Sequence, residues 1–151
     1  MKKVFVFDLD DTLMVGTDIF PEVFDVLDFL YNQGDVPMLL SKGDKVVQDR
    51  KFSAIDAGNN FFRSRVVDQK TPEVFEKLVG GFMTYHPWYS VGNDYISDIA
   101  PALEVGFKGI WIPNETWENQ DDTDKIRSSV DWSRCIEMKS LMELKERYRE
   151  L

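Results

Sequence analysis

Hydrophobic positions along the chain occur either in short unbroken runs or at helical spacing within longer polar stretches. The unbroken runs contain many β-branched and aromatic residues, which predicts strands that are buried on both faces of a sheet. Six such strands are predicted, the third less regular than the others, at residues 4–7, 37–40, 61–67, 88–91, 109–112 and 134–138.

Helices are predicted between these strands, at residues 21–33, 44–57, 71–81, 97–105 and 140–151. Asp44 and Thr71 are suitable N-terminal caps, and Gly34 is a suitable stop for the first helix. The segment 114–124 is acidic and polar around Trp117. We expect a solvated loop there, with a flap or a subunit contact as the alternative.

The regular alternation of strands and helices predicts an α/β fold with a parallel sheet and helices on both faces. The expected architecture is a doubly wound, Rossmann-like three-layer α/β/α sandwich, in which residues 1–151 form a single domain. Ligands of such sheets bind beyond the carboxyl ends of the strands. The polar residues at those ends are therefore the candidates for function.

Composition narrows the classes of partner. The net charge of −9 and the pI of about 4.6 disfavour binding to nucleic acid or to anionic lipid. No apolar run reaches the roughly 20 residues of a membrane span, and the run at residues 4–7 is cut by acids too soon to be a signal peptide. Cys135 is the single cysteine, so no intrachain disulfide forms and a cytoplasmic location is expected.

Four consecutive predicted strands end in residues that carry chemistry. Two carboxylates two positions apart in an extended segment point the same way and need a cation to offset their repulsion. Oxygen donors without nitrogen or sulfur suit Mg²⁺. In strand order, the candidates are Asp8, Asp10 and Asp11, then Ser41, Lys42 and Gly43, then Lys70, and finally Asn93, Asp94 and Asp98.

These residue types allow phosphoryl transfer. Asp8 can act as a nucleophile, and Asp10 can protonate the leaving oxygen and later deprotonate water. Ser41 can donate a hydrogen bond to a phosphoryl oxygen, with help from Lys42 and from backbone N–H groups near Gly43. Lys70 supplies positive charge for the transition state.

The order of these residues resembles the four motifs of the haloacid-dehalogenase superfamily. Residues 8–13 (DLDDTL) match its first motif, Ser41 its second, Lys70 its third and residues 92–98 its fourth. The resemblance covers nearly the whole chain and implies a magnesium-dependent phosphatase. It implies that Asp8 accepts the phosphoryl group, that Asp10 is the general acid/base, and that the Asp10 backbone carbonyl joins Asp8 and the fourth motif around Mg²⁺.

The chain departs from the family pattern in two ways. The fourth motif usually has an acid directly after its glycine, but Asn93 stands there and Asp94 follows. Either Asn93 ligates the metal through its neutral oxygen or Asp94 does, and the preference of Mg²⁺ for charged oxygen favours Asp94. Residues 11–40 and 42–69 are too short to hold the family's inserted cap domain. The site should therefore be open, which suits a large substrate or shielding by a second subunit.

Other functions remain as alternatives. A receiver-like phosphoacceptor domain uses similar residues, but has its acidic pair after the first strand and its acceptor Asp after the third. Here the third strand is followed by Asp68, Gln69 and Lys70, and a second acidic group follows the fourth strand, a spacing that favours the hydrolase. A catalytically weak or inactive binding module is the second alternative, which Asn93 favours. A phosphotransferase is a smaller variation on the phosphatase. The phosphorylated substrate, small molecule or macromolecule, is not identified, and a homodimer is compatible with an open site.

Overall fold

The structure is a computed structural model that describes residues 2–151. Within them the strands are β1 (Val4–Phe7), β2 (Met14–Val15), β3 (Asp18–Ile19), β4 (Val36–Lys42), β5 (Ser64–Val67), β6 (Trp88–Gly92), β7 (Lys108–Trp111) and β8 (Cys135–Glu137). The helices are α1 (Val23–Asn32), α2 (Lys45–Ala54), α3 (Ala57–Asn60), α4 (Pro72–Leu78), α5 (Ala100–Leu103), α6 (Gln120–Ser129) and α7 (Met142–Glu146). A π-helical turn (Tyr95–Ile99) precedes α5, and a 3-10 turn (Tyr148–Glu150) follows α7.

Six strands form one parallel sheet in the order β5-β4-β1-β6-β7-β8. If these six are counted along the chain, the order is 3-2-1-4-5-6, that of Rossmann-type sheets. Receiver domains have the order 2-1-3-4-5, so the topology argues against the receiver alternative. The sheet changes winding direction between β1 and β6, which is the place where such sheets bind ligands.

Both faces of the sheet are buried, which explains why its central strands are continuous apolar runs. Phe5 and Phe7 of β1 face the layer formed by α1, α2, α3 and α7, whereas Val4 and Val6 face the layer formed by α4 and α5. A smaller cluster around Trp111 joins the π-helical turn to α6. The predicted three-layer sandwich is confirmed.

Local sequence signals set several helix ends. Asp44 accepts a hydrogen bond from the Val47 N–H at 3.0 Å and caps α2, and Thr71 caps α4 in the same way through Val74. Gly34 has a φ of +83°, a left-handed conformation that ends the segment after α1 at low cost.

The predicted elements differ from the structure in detail. The third strand spans Ser64–Val67 and is shorter than the predicted 61–67. The helix predicted at 44–57 ends at Ala54, and Asp56, with a φ of +53°, separates it from the short helix α3. Residues 120–124, predicted as loop, begin α6, whose polar surface conceals its helical spacing. The helix predicted at 97–105 is split into the π-helical turn and α5, and the β2–β3 hairpin was not predicted.

The structure confirms that no cap domain interrupts the described chain. Between Asp8 and Ser41 lie only the β2–β3 hairpin and α1, and between Ser41 and Lys70 lie α2, α3 and β5. No helix within residues 2–151 is long and apolar enough to span a membrane.

Candidate active site

The register of the sheet brings the chemically active strand ends together. Phe7, the last residue of β1, is level with Leu39 of β4 and with Val91 of β6. The residues that follow these positions therefore emerge at one edge of the sheet. They line an open cleft of about 160 Å³, formed by Asp8, Asp10, Asp11, Lys42, Lys70, Asn93, Asp94, Ser97 and Asp98.

Lys70 bridges two carboxylates at the bottom of this cleft. Its Nζ lies 2.7 Å from Asp8 Oδ1 and 2.6 Å from Asp98 Oδ1. The side chains of Lys70 and Asp98 are each 3% exposed, and that of Asp8 is 12% exposed. One buried ammonium thus faces two carboxylates, which leaves an excess negative charge.

Burial and this excess negative charge make the two carboxyl groups, Asp8 and Asp98, weaker acids. Burial, followed by the charge of Asp98, raises the pKa of Asp8 to about 7, although Lys70 acts in the opposite direction. Burial also raises the pKa of Asp98. An additional cation beside Asp8 would lower its pKa and favour the ionised, nucleophilic form.

Asn93, and not Asp94, is linked to Asp8 by side-chain contacts. The Thr12 hydroxyl lies 3.2 Å from Asp8 Oδ2 and 3.4 Å from Asn93 Oδ1, so both oxygens face the same point. The Asp94 carboxylate instead accepts a hydrogen bond from the Ile96 N–H at 3.1 Å and caps the π-helical turn. Of the two alternatives, this geometry favours Asn93, because its side-chain oxygen and the Asp8 carboxylate contact the same hydroxyl.

Each carboxylate oxygen of Asp98 has a hydrogen-bond partner. Its Oδ1 accepts from Lys70, and its Oδ2 accepts from the Asp94 N–H at 3.0 Å. Its backbone carbonyl accepts a hydrogen bond from the hydroxyl of Ser90. These contacts fit a residue that holds Lys70 in place better than they fit a metal ligand.

Asp10 makes contacts that the sequence did not predict. Its Oδ1 lies 2.6 Å from Lys51 Nζ, and its Oδ2 accepts a hydrogen bond from Gln48 Nε2 at 3.3 Å. Both partners belong to α2. Gln48 is 5% exposed, and the Lys51 side chain is 18% exposed.

Of the residues predicted to bind phosphate after β4, only Lys42 is exposed to the cleft, whereas Ser41 is buried. Lys42 is exposed on the cleft, but Ser41 is 1% exposed and donates its hydroxyl hydrogen to Gln48 Oε1 at 3.0 Å. The Gly43 N–H pairs with the Val67 carbonyl at 3.1 Å. That amide, which we expected to bind phosphate, is therefore already used by the sheet.

Neither a protein-family model nor a curated protein sequence matches the chain. Solved structures do. A D,D-heptose bisphosphate phosphatase from B. bronchiseptica, complexed with magnesium and phosphate, matches with a TM-score of 0.73 at 9% identity, covering 98% of each chain. A haloacid dehalogenase-like family hydrolase from Streptococcus pneumoniae matches with a TM-score of 0.68 at 13% identity, covering 96% of this chain and 97% of that one.

The chain has the haloacid-dehalogenase-like hydrolase fold. A larger hydrolase of this type, from Xanthomonas campestris, matches with a TM-score of 0.67 at 20% identity over 88% of this chain. The chain spans 54% of that protein, whereas it spans nearly all of the two others. This agrees with a haloacid-dehalogenase-like core that lacks an inserted domain.

Oxygen atoms of Asp8 and Asn93 lie beside the buried group of Asp8, Lys70 and Asp98, which carries an excess negative charge. The Asp8 carboxylate and Asn93 Oδ1 suit a hard cation such as Mg²⁺. Among residues 2–151, no three His, Cys, Asp or Glu side chains converge as a preformed metal site. Two facts account for this: Asn93 is an amide, and Asp98 is held by Lys70.

Gln48 and Lys51 were not predicted from the sequence, and Thr12 was given no role beyond its place in the first motif, although each contacts a candidate residue. Gln48 and Lys51 lie three residues apart, on one face of a helix whose first residues follow Ser41. That spacing was the available signal. It was weak, because α2 is polar on most of its surface and a buried polar face does not stand out.

Proposed function

We propose that the protein is a magnesium-dependent phosphohydrolase that acts on phosphate esters through a phosphorylated Asp8. The observation that carries the proposal is the placement of Asp8 at the end of β1. There its carboxylate touches Lys70 and Thr12, and Asp10 follows two residues later. A nucleophile, an acid/base group and a fixed cation at one strand edge are the parts that the reaction needs.

In the first step, an oxygen of ionised Asp8 forms a bond to the phosphorus of the substrate. The ester P–O bond breaks, and its oxygen takes a proton from Asp10 and leaves as an alcohol. Lys70 remains beside Asp8 and offsets the negative charge that accumulates on the phosphoryl oxygens.

In the second step, Asp10 accepts a proton from water. The water oxygen attacks the phosphorus, and the bond between the phosphorus and Asp8 breaks. Inorganic phosphate is released, Asp8 is again a carboxylate, and Asp10 is again protonated.

Asp8, Asn93 and the backbone carbonyl of Asp10 are the oxygen donors that we assign to Mg²⁺. When bound, the ion would offset the negative charge of the phosphoryl group and of Asp8. The phosphatase from B. bronchiseptica, complexed with magnesium and phosphate, supports this assignment through its similar fold.

The substrate is a phosphate ester, small or macromolecular, that reaches an uncapped cleft. Because no inserted domain covers the cleft within the described residues, large leaving groups meet no steric barrier from one. We expect specificity to be broad toward small esters, since no inserted domain within the described residues contacts the leaving group.

The decisive experiment measures phosphate release from 4-nitrophenyl phosphate and from a panel of alkyl phosphates. Wild type and Asp8→Asn are compared, each with Mg²⁺ and with a chelator. The proposal expects turnover only in wild type with Mg²⁺. Asp25→Asn is a matched control, because this exposed acid on α1 pairs only with Lys145 at 3.0 Å among the contacts described.

A catalytically inactive binding module is the second candidate, favoured by the neutral Asn93, whose Oδ1 contacts the same Thr12 hydroxyl as Asp8. It predicts that wild type binds Mg²⁺ and inorganic phosphate but releases no phosphate from any ester. Under that outcome, Asp8→Asn would have no effect on phosphate release, and the hydrolase proposal would be wrong.

A further inference from the structure

The α2 helix holds both carboxylate oxygens of Asp10. Lys51 donates to Oδ1 at 2.6 Å, and Gln48 donates to Oδ2 at 3.3 Å. The two donors lie one turn apart on the same face of the helix, so one rigid element fixes the carboxyl group in two places. Each oxygen keeps lone pairs that neither donor occupies.

Gln48 also links Asp10 to Ser41. The Ser41 hydroxyl donates to Gln48 Oε1 at 3.0 Å, while Gln48 Nε2 faces Asp10. A carboxylate only accepts, so it requires the amide nitrogen, and the hydroxyl then finds the amide oxygen. One buried amide therefore connects the residue predicted to bind phosphate with the residue predicted to transfer the proton.

The backbone is built to accommodate Gln48 in this position. A Cβ atom placed on Gly43 would lie 2.9 Å from Gln48 Nε2, closer than such contacts allow. Gly43 also has a φ of +146°, which other residues rarely adopt. The glycine at this turn thus provides the room that the amide occupies.

We infer that Gln48 and Lys51 are positioning residues for Asp10, a statement that rests on the proposed function. They hold the Asp10 carboxyl toward the ester oxygen that leaves, and Gln48 ties this position to Ser41. Charge-assisted hydrogen bonds at a partly buried site are strong enough to restrict the rotation of a short side chain.

The positioning role of Gln48 and Lys51 predicts a dependence on the leaving group that a purely structural role of α2 does not predict. A leaving alkoxide is strongly basic and needs the proton of Asp10, whereas a 4-nitrophenolate leaves readily without one. Displacing Asp10 should therefore slow the first step, transfer of the phosphoryl group to Asp8, far more for alkyl phosphates than for aryl phosphates. The second step is common to both substrates and does not distinguish them. Loss of fold or of metal binding would slow both equally.

The experiment compares Lys51→Met and Gln48→Leu with wild type in the presence of Mg²⁺. The substrates are 4-nitrophenyl phosphate and an alkyl phosphate that wild type hydrolyses. We expect kcat/KM, which reports the steps up to release of the alcohol, to fall about 10–100-fold for the alkyl phosphate and less than about threefold for the aryl phosphate. Lys51→Arg, which keeps the cation, should recover most of the alkyl activity.

Lys45→Met is the matched control. Lys45 lies on the same helix and pairs with Asp49 at 2.7 Å, but its side chain is 78% exposed. Both substrates should be hydrolysed at the wild-type rate. If Gln48→Leu does not fold, Lys51→Met and Lys51→Arg carry the test at a position that tolerates change better.

Other outcomes would overturn the inference. Equal losses of kcat/KM on both substrates would show a structural role for α2 only. If Lys51→Met raises KM only for substrates with a second anionic group, Lys51 is a substrate-binding residue instead. If Lys51→Met leaves the rates on both substrates unchanged, Lys51 does not position Asp10. If wild type shows no hydrolysis that is lost in Asp8→Asn, the proposed function is wrong and this inference fails with it.

Discussion

The ammonium of Lys70 lies 2.6 Å from a carboxylate oxygen of Asp98, and both side chains are 3% exposed. Burial acts to lower the pKa of Lys70, but the charges of Asp8 and Asp98 outweigh it and the net pKa is raised. The lysine therefore stays charged where it lies. Its loss would leave two buried acids without a cation between them.

Replacing Lys70 by Met should therefore destabilise the protein by about 3–5 kcal/mol, the usual effect of removing one partner of a buried ion pair. Urea unfolding at neutral pH without added metal measures this free energy. Lys45→Met should leave the midpoint nearly unchanged, because the Lys45 pair is exposed. A midpoint for Lys70→Met within error of wild type would mean that the three charges do not interact as the geometry indicates.

The raised pKa of Asp8 predicts how the stability of the metal-free protein depends on pH. An acid whose pKa is higher in the folded state than its ordinary value of 3.8 favours folding at low pH. Its contribution is lost as pH rises toward and through a folded pKa of about 7. In chelator, the melting temperature of wild type should fall over this range, and Asp8→Asn should lessen the fall. A part should persist in Asp8→Asn, because the pKa of Asp98 is raised as well.

Addition of Mg²⁺ should reverse this dependence. The ion binds the ionised form of Asp8, so its stabilising effect should be large above pH 7 and small near pH 5. Thermal unfolding at several Mg²⁺ concentrations measures the effect, and Asp8→Asn should abolish most of it. An equal shift at both pH values would mean that the ion binds elsewhere.

The sequence was sufficient for the sheet and for the main strand ends, but not for the contacts between elements. The apolar run before Asp8 predicts a buried strand, and an acid after such a run must lie at the sheet edge. The contact between Lys51 and Asp10 joins residues 41 positions apart, and it depends on the rotation of α2, which a polar helix does not reveal. The cytoplasmic location, the homodimer and the phosphorylated substrate stay predictions.

The choice between Asn93 and Asp94 as metal ligand can be tested by two substitutions. Asn93→Asp adds a charge at the oxygen that faces Asp8, and should tighten Mg²⁺ binding about tenfold, as measured by calorimetry. Asp94→Ala removes only the cap on Ile96, so it should leave Mg²⁺ affinity unchanged and cost about 1 kcal/mol of stability. The opposite pattern would make Asp94 the ligand.

Gly92, the last residue of β6, gives the strictest steric prediction. A Cβ at this position would lie 2.5 Å from the Asp98 Cβ, and the overlap is with a short buried side chain that has no room to move. Gly92→Ala should push Asp98 away from Lys70 and destabilise the protein by about 3 kcal/mol, at the upper end of the range for overpacking.

Gly58 in α3 is the matched control, because a Cβ there would meet nothing within 4 Å. Gly58→Ala should be neutral or slightly stabilising in the same urea titration, since alanine favours the helix. If both substitutions behave alike, close packing of Asp98 against β6 does not determine the position of Lys70.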